Sequence, residues 1–361
     1  MSFLAKKVFN FSKPPFGLDL SDLSIKMVQL EREGNKDKIV SFGTSFITPG
    51  SVVDGEIINQ ENVVSAIKEV TKKSISKRIK NNKVICSLPE TKAFLRIISL
   101  PQMKEEEIKE AIKWEMEANI PLPIDSVYYD WQILEKKISQ EPNKSDVLVV
   151  AVAKKVVDQF IEALESAGLR VEGLDIESVA QARSFINAKD SQKTTLIIDI
   201  GDRRTSFSIS VGTIPCFTCS IPISGQSITD SIAKGISVSF EEAEKIKLTY
   251  GIGSAAKADP LFKSVKPVLD SLVSELERSI DFYLSGLRYS SSIDQIFICG
   301  GGANVLGIIP YLSKQMRREV KLGDPWVNIQ LGKKLPPIDR NRSVQYSTAI
   351  GLALKGLNLT Y

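Results

Sequence analysis

The chain has 361 residues, 43% of them hydrophobic, with 47 Lys and Arg against 43 Asp and Glu and a net charge of +4. That length can bury the cores of two lobes, and the near-balanced charge excludes a bulk electrostatic pull toward nucleic acid. No histidine occurs anywhere, which removes Ser-His-Asp and Cys-His catalysis and imidazole metal sites together, so proton chemistry must run through carboxylates, Lys or water.

The opening residues, MSFLAKKVFNFSKPP, mix apolar and basic side chains without the apolar stretch of a signal peptide. Phe3–Phe11 reads as a disordered lead-in, with weak amphipathic lipid contact as the alternative. Phe16–Leu30 forms two strands around a tight turn, and Lys38–Ile47 is a third β segment. The loop Ser51–Asn59 leads to Asn62 as a helix N-cap, with Val63, Ile67 and Val70 on the buried stripe. That helix ends in KKSISKRIKNNK, a solvated basic face or a contact for anionic headgroups or an acidic partner. No aromatic residues interleave these lysines, which argues against single-stranded nucleic acid.

From Val84 to about Val171 the pattern reads as a self-contained α+β unit. Strands Val84–Leu88 and Ala93–Leu100 precede a helix over Lys104–Ala118, with Ile108, Ala111, Ile112 and Met116 on one face, stopped by NIPLP. Two further strands, Tyr128–Leu134 and Asp146–Ala153, and a helix over Lys155–Ala167 complete the unit. The longest uncharged apolar run, Val147–Ala153, is far below the ~18 residues of a membrane-spanning helix, so a cytoplasmic protein is expected, at most attached to a membrane surface. Gly173–Asn187 reads as a connecting helix, followed by helices at Gly225–Lys234, Phe240–Thr249, Pro267–Leu287 and Ser343–Leu354.

Three segments carry chemistry: FGLDLSDLSIKMVQL (Phe16–Leu30), LIIDIGDRRTSFSIS (Leu196–Ser210) and IFICGGGANVLGIIPYL (Ile296–Leu312). In the first two, Asp19 aligns with Asp199, Ser21 with Gly201 and Asp22 with Asp202; a hydroxyl follows at Ser24 and, one position later, at Thr205. A hairpin turn of small residues points backbone N–H groups outward, as a phosphate requires, and an Asp at each strand end can hold hydrated Mg²⁺. Taken alone, an Asp in a tight turn caps its own backbone; two hairpins followed by a glycine turn favour the phosphate reading. Gly300, Gly301 and Gly302 would let backbone approach a ribose and α-phosphate, with a helix beginning near Val305 behind them. The turn is no dinucleotide fingerprint, since Val305 stands where that motif needs glycine, and no Walker A lysine exists in the chain. Cys216 and Cys219 have metal or redox spacing, but three apart on a strand their thiols diverge and read as buried and inert.

With ETKAFLRIISLP (Glu90–Pro101), GLDIESVAQAR (Gly173–Arg183), FEEAEKIKLTYG (Phe240–Gly251) and YSTAIGLAL (Tyr346–Leu354), these motifs resemble the actin-like ATPase superfamily. Within it the chain resembles the PilM family of type IV pilus assembly proteins and, more distantly, FtsA. The resemblance implies an α/β actin-like ATPase fold: two related lobes around a nucleotide cleft, with an FtsA/PilM-type inserted α+β subdomain. The first lobe would be 1–83 with 172–190 and 340–361, the inserted interaction subdomain 84–171, and the second lobe 191–339 with a helical part at about 225–292.

ATP and Mg²⁺ are implied as ligands. Nucleotide contacts would come from Ser21, Ser24, Gly201, Thr205, Glu244, Lys247, Gly300, Gly301, Gly302 and Asn304; metal-bound water from Asp19 and Asp199; and a carboxylate near the attacking water from Glu177, with Asp175. Glu244 and Lys247, three apart on one helix, read equally well as a surface ion pair. Asp22, Asp202, Arg203 and Arg204 depart from the small residues that relatives place beside each phosphate. The implied function is a cytoplasmic ATP-binding scaffold of the pilus inner-membrane platform, peripheral to the membrane through its partners. It would bind the N-terminal cytoplasmic tail of PilN and couple the platform to the motor. It would be at most a slow ATPase, with no nucleic acid, and with self-association open. The alternatives are a nucleotide-free GspL-like domain and an FtsA-like filament ATPase; a sugar kinase would need an Asp general base for which no candidate presents itself.

Overall fold

The computed structural model describes residues 13–34, 36–75, 81–120, 122–135, 138–139, 143–253, 259–286, 292–329 and 338–360. Phe3–Phe11, residues 76–80 of the basic helix end, Pro121 and Leu287 lie outside the described residues.

Two five-stranded sheets repeat one another. The first contains β1 (Phe16–Leu20), β2 (Ser24–Glu33), β3 (Lys36–Phe46), β6 (Lys83–Leu88) and β10 (Arg170–Ile176), in the order β10-β6-β1-β2-β3. The second contains β11 (Thr194–Ile200), β12 (Thr205–Val211), β13 (Ile214–Ile221), β14 (Gln295–Cys299) and β15 (Val320–Leu322), in the order β15-β14-β11-β12-β13. In both, the first three strands form an antiparallel meander and the last two add in parallel on the other side. Parallel additions need crossovers, and these are where the lobes differ.

A two-stranded hairpin, β4 (Val52–Val53) and β5 (Glu56–Ile57), follows β3 and leads into α1 (Gln60–Lys72). Asn59 caps α1, its side chain accepting from the Asn62 backbone N–H at 3.0 Å, so the cap lies three residues before the expected Asn62. Between β6 and β10 come β7 (Ala93–Pro101), α2 (Glu105–Asn119), β8 (Val127–Ile133), β9 (Lys144–Ala153) and α3 (Lys154–Ser166). The strands β7, β9 and β8 form a separate three-stranded sheet whose core takes in Ile108, Ile112 and Met116 of α2. Val156, Phe160 and Leu164 of α3 instead join Val63, Ile67 and Val70 of α1 in the core of the first sheet.

Two expectations are corrected here. Val84–Leu88 does not open the inserted unit but lies inside the first sheet, so the separate α+β piece is narrower than 84–171. Gly173–Asn187 is not one helix: Gly173–Ile176 ends the edge strand β10, and only then does α4 (Glu177–Phe185) begin. Arg170-Val171-Glu172-Gly173 alternates polar and apolar as an edge strand does, but the helix-favouring run behind it masks that period.

In the second lobe α5 (Gly225–Ile236), α6 (Phe240–Tyr250) and α7 (Pro260–Asp281) join β13 to β14. Asp259 caps α7 and Pro260 opens it, so Pro267, the expected start, sits inside the helix. After β14 come a 3₁₀ turn at Gly301–Asn304, α8 (Ile308–Gln315), α9 (Arg340–Ser343) and α10 (Ser347–Thr360). Helix α10 returns to the first lobe and packs on α4, β1, β2 and β6 through Ala349, Ile350, Ala353 and Leu357. Among the described residues no helix is long and apolar enough to cross a membrane.

Candidate functional site

The two sheets face each other across a cavity of about 590 Å³. One tight turn from each lobe enters it. Leu20 pairs with Ile25 and Ile200 with Thr205, so both turns have the same length, Ser21–Ser24 and Gly201–Arg204. Each closes on the same hydrogen bond: Ser21 N–H to the Ser24 carbonyl at 3.0 Å, and Gly201 N–H to the Arg204 carbonyl at 2.9 Å.

That register corrects the hydroxyl alignment. The counterpart of Ser24 is Arg204, and Thr205 matches the buried Ile25. Thr205 is fully buried and does not line the cavity, whereas Ser206, one residue on, does. The other expected residues, Asp19, Ser21, Ser24, Glu177, Gly201, Glu244, Lys247, Gly300, Gly301, Gly302 and Asn304, all line it.

Asp19 and Asp199 occupy equivalent penultimate positions on β1 and β11. Ser87 of β6 donates to the Asp19 carboxylate at 3.0 Å, and Gln181 of α4 donates to that of Asp199 at 2.5 Å. Glu90 and Glu177 lie beside them: the Glu90 N–H donates to Glu177 at 3.3 Å and the Ser178 N–H to Glu90 at 3.1 Å. Burial raises the pKa of all four carboxyls. At Asp199 the charge of Asp19 adds to burial and the value reaches about 6. At Glu177, pushed well above the usual range, the charges of Asp19, Glu90 and Asp199 add to it. Lys26, which donates to Ser24 at 2.8 Å, offsets part of the rise at both aspartates. Asp175 takes no part; it pairs with Arg183 at 2.9 Å and Lys355 at 3.3 Å and is absent from the cavity lining.

The three glycines do different things. Gly300 has φ +80, and a Cβ there would collide with the Asp199 carboxylate and the Ile200 carbonyl; at Gly302 it would collide with the Ile200 side chain. Only Gly301 of the three has no atom within 4 Å of a built Cβ, so a side chain there would enter open cavity. The expectation that all three make room for a ligand is corrected: two are required by contacts within the protein. The helix expected near Val305 begins at Ile308, and the 3₁₀ turn Gly301–Asn304 faces the cavity in its place.

On the second-lobe wall, Lys247 is 4% exposed and its ammonium reaches the Gly225 carbonyl at 3.0 Å, Thr229 at 2.8 Å and Glu244 at 2.7 Å. The pair is therefore not a surface one. Leu248 and Phe46, large apolar side chains left exposed, also line the cavity and offer surface for a flat ring.

Sequence reading missed Lys26, Ser87, Glu90, Gln181 and Gly225. Gln181 lies one helical turn from Glu177, a spacing that places both on one face of α4, and this signal was legible. Ser87 and Glu90 reach the site through pairing of β6 with β1, which leaves no local mark.

A chain of the solved PilM-PilN type IV pilus biogenesis complex superposes with a TM-score of 0.80 at 27% identity, covering 95% of this chain and 98% of that one. The cell division protein FtsA of Staphylococcus epidermidis (strain ATCC 12228 / FDA PCI 1200) is 25% identical over 359 residues, covering 88% of this chain and 75% of FtsA. MreB5 of Spiroplasma citri, solved bound to ADP, shares the fold with a TM-score of 0.54 at 15% identity, covering 96% of this chain and 98% of that one. The fold is thus that of the actin-like ATPases. Residues 17–357 match the family of the type IV pilus assembly protein PilM, and the chain belongs to that family.

Proposed function

We propose that this chain is an ATP-binding scaffold of the type IV pilus inner-membrane platform, and that nucleotide sets the arrangement of its lobes. The observation that carries the reading is the pair of matched turns, Ser21–Ser24 and Gly201–Arg204, with Asp19 and Asp199 behind them, facing one cavity beside the open Gly301. Phosphate oxygens would take the N–H groups of these turns and the hydroxyls of Ser21 and Ser24. Burial raises the pKa of the four neighbouring carboxyls, and a cation between the lobes would relieve the repulsion that adds to this at Asp199 and Glu177. As the resemblance implies, Asp19 and Asp199 would hold Mg²⁺ through its water shell. Mg²⁺ would supply neutralisation of phosphate and carboxylate charge. Glu244 and Lys247 would bound the nucleoside side, with Leu248 against the base.

The inserted sheet would act as the docking surface for the N-terminal cytoplasmic tail of PilN, holding the protein at the inner membrane through its partners. Support comes from the solved PilM-PilN relative and from the insert's own surface. Trp114, Leu122, Tyr128 and Ile133 are exposed there, and β8 is an edge of its sheet. An extended peptide could add to that edge by backbone hydrogen bonds, with apolar contacts fixing its register. The test is titration of the purified chain with Mg²⁺ and ATP, and separately with a peptide of the PilN tail. Both should bind. Undiminished co-purification of a PilN lacking its tail would contradict the docking mode, and absent ATP binding would contradict the nucleotide reading.

A further inference from the structure

The hairpin β4–β5 turns through Asp54 and Gly55, whose φ values of 49 and 78 are both left-handed, as in a two-residue Asp-Gly turn. Its tip enters the cavity between the two matched turns. On one side the Gly55 N–H donates to the Asp22 carboxylate at 3.1 Å. On the other, the Arg204 guanidinium meets the Asp54 carboxylate at 3.2 Å, while its Nε donates to Ser220 at 3.1 Å. Two of the four departures from small residues are thereby accounted for: Asp22 is satisfied by backbone, and Arg204 makes an ion pair that crosses from lobe to lobe.

Arg204 stands at the position matched by Ser24 in the other turn, and it lines the same cavity as Ser21, Gly201 and Gly301. We infer that Arg204 is a specificity residue for the terminal phosphate of a nucleoside triphosphate, and that Asp54 is the competitor which holds it while no such phosphate is bound. The inference rests on the nucleotide reading above. An ion pair whose side chains are 31% and 62% exposed is weak, because solvent screens it. A terminal phosphate offers more charge and more acceptor oxygens to the same guanidinium fork, so exchange from carboxylate to phosphate is favourable.

The exchange has a route outward. Thr91 donates to the Asp54 carbonyl at 3.2 Å, and Lys92 pairs with Glu56 at 2.7 Å, so the residues that enter β7 grip this hairpin. Releasing Asp54 from Arg204 breaks this contact with the second lobe and leaves the hairpin held by the residues that enter the inserted unit. The cleft's phosphate content is then communicated to the surface proposed for the partner.

Titration calorimetry with Mg-ATP and with Mg-ADP on the wild type, Arg204→Gln, Asp54→Asn and the double variant tests this. Arg204→Gln should weaken ATP about tenfold and ADP much less, the size expected for one charge-assisted hydrogen bond. Asp54→Asn should tighten ATP by about threefold where Arg204 is present, the loss of a weak competitor, and should do nothing in the Arg204→Gln background. Equal weakening of ATP and ADP by Arg204→Gln, or tightening by Asp54→Asn that persists without Arg204, would overturn the inference and leave nucleotide binding intact. A wild type that binds neither nucleotide would overturn the nucleotide reading itself, and this inference with it.

Discussion

Asp199 carries its carboxyl on the cleft floor, where burial and the charge of Asp19 bring its pKa up to about 6. That lies above the unfolded value of about 4, so its contribution to stability is complete below pH ~4 and is lost as pH rises through ~6. Replacing Asp199 by Asn removes the charge but leaves an acceptor for Gln181. Asp199→Asn should therefore raise stability at pH 8, by on the order of 2 kcal/mol, and bring no gain at pH 4. Thermal unfolding at the two pH values checks this; an equal gain at both would show that charge burial is not its cause. Glu177 belongs to the same group. Burial and three neighbouring carboxyls favour its neutral acid, which cannot accept a proton from water. Hydrolysis should run well below ~10 s⁻¹ and quicken as pH rises, and turnover at or above that rate at neutral pH would contradict the scaffold reading.

The glycine turn after β14 gives the sharpest contrast among the elements. Gly300→Ala puts a Cβ against the Asp199 carboxylate in a left-handed backbone, and should cost about 1–3 kcal/mol of stability. Gly301→Ala meets nothing within 4 Å and should leave stability nearly unchanged. Denaturant melts of the two variants decide it, and similar losses would refute the assignment of separate roles. Sequence showed that a glycine turn follows a strand but not which glycine faces the cavity, because that depends on how Ile200 packs behind it. Likewise the two matched turns were legible as local patterns, whereas the equivalence of Ser24 with Arg204 is fixed by strand register. Strand β10 escaped because its alternation runs into a strong helix former. The Asp54-Gly55 pair inside the expected loop Ser51–Asn59 is itself a hairpin-turn signal. Ser87 and Glu90 arrive at the site by pairing between distant strands, which no window of sequence contains, whereas Lys26 pairs with Asp19 across the first hairpin and was legible within that motif.

At the scale of the whole molecule, two copies of one sheet topology face each other, and each crossover has been put to separate use. In the first lobe the β6–β10 connection carries the inserted sheet; in the second, the β13–β14 connection carries α5, α6 and α7, including the buried Lys247. Helix α10 runs back onto the first sheet, so the chain crosses between lobes through α4 and again through the segment before α10. A ligand that touches both matched turns couples the lobes, and by linkage it stabilises the fold by about 2.7 kcal/mol at a hundred times its Kd. The ligand proposed above is Mg-ATP in the cavity beside Gly301. The most direct test is calorimetric titration of Mg-ATP into the wild type and Gly301→Glu, each first shown to be folded by its melting curve. Saturable binding is expected for the wild type and none for Gly301→Glu, whose new carboxylate would enter the open cavity while the core stays untouched. Unchanged ATP affinity in a folded Gly301→Glu protein would contradict it.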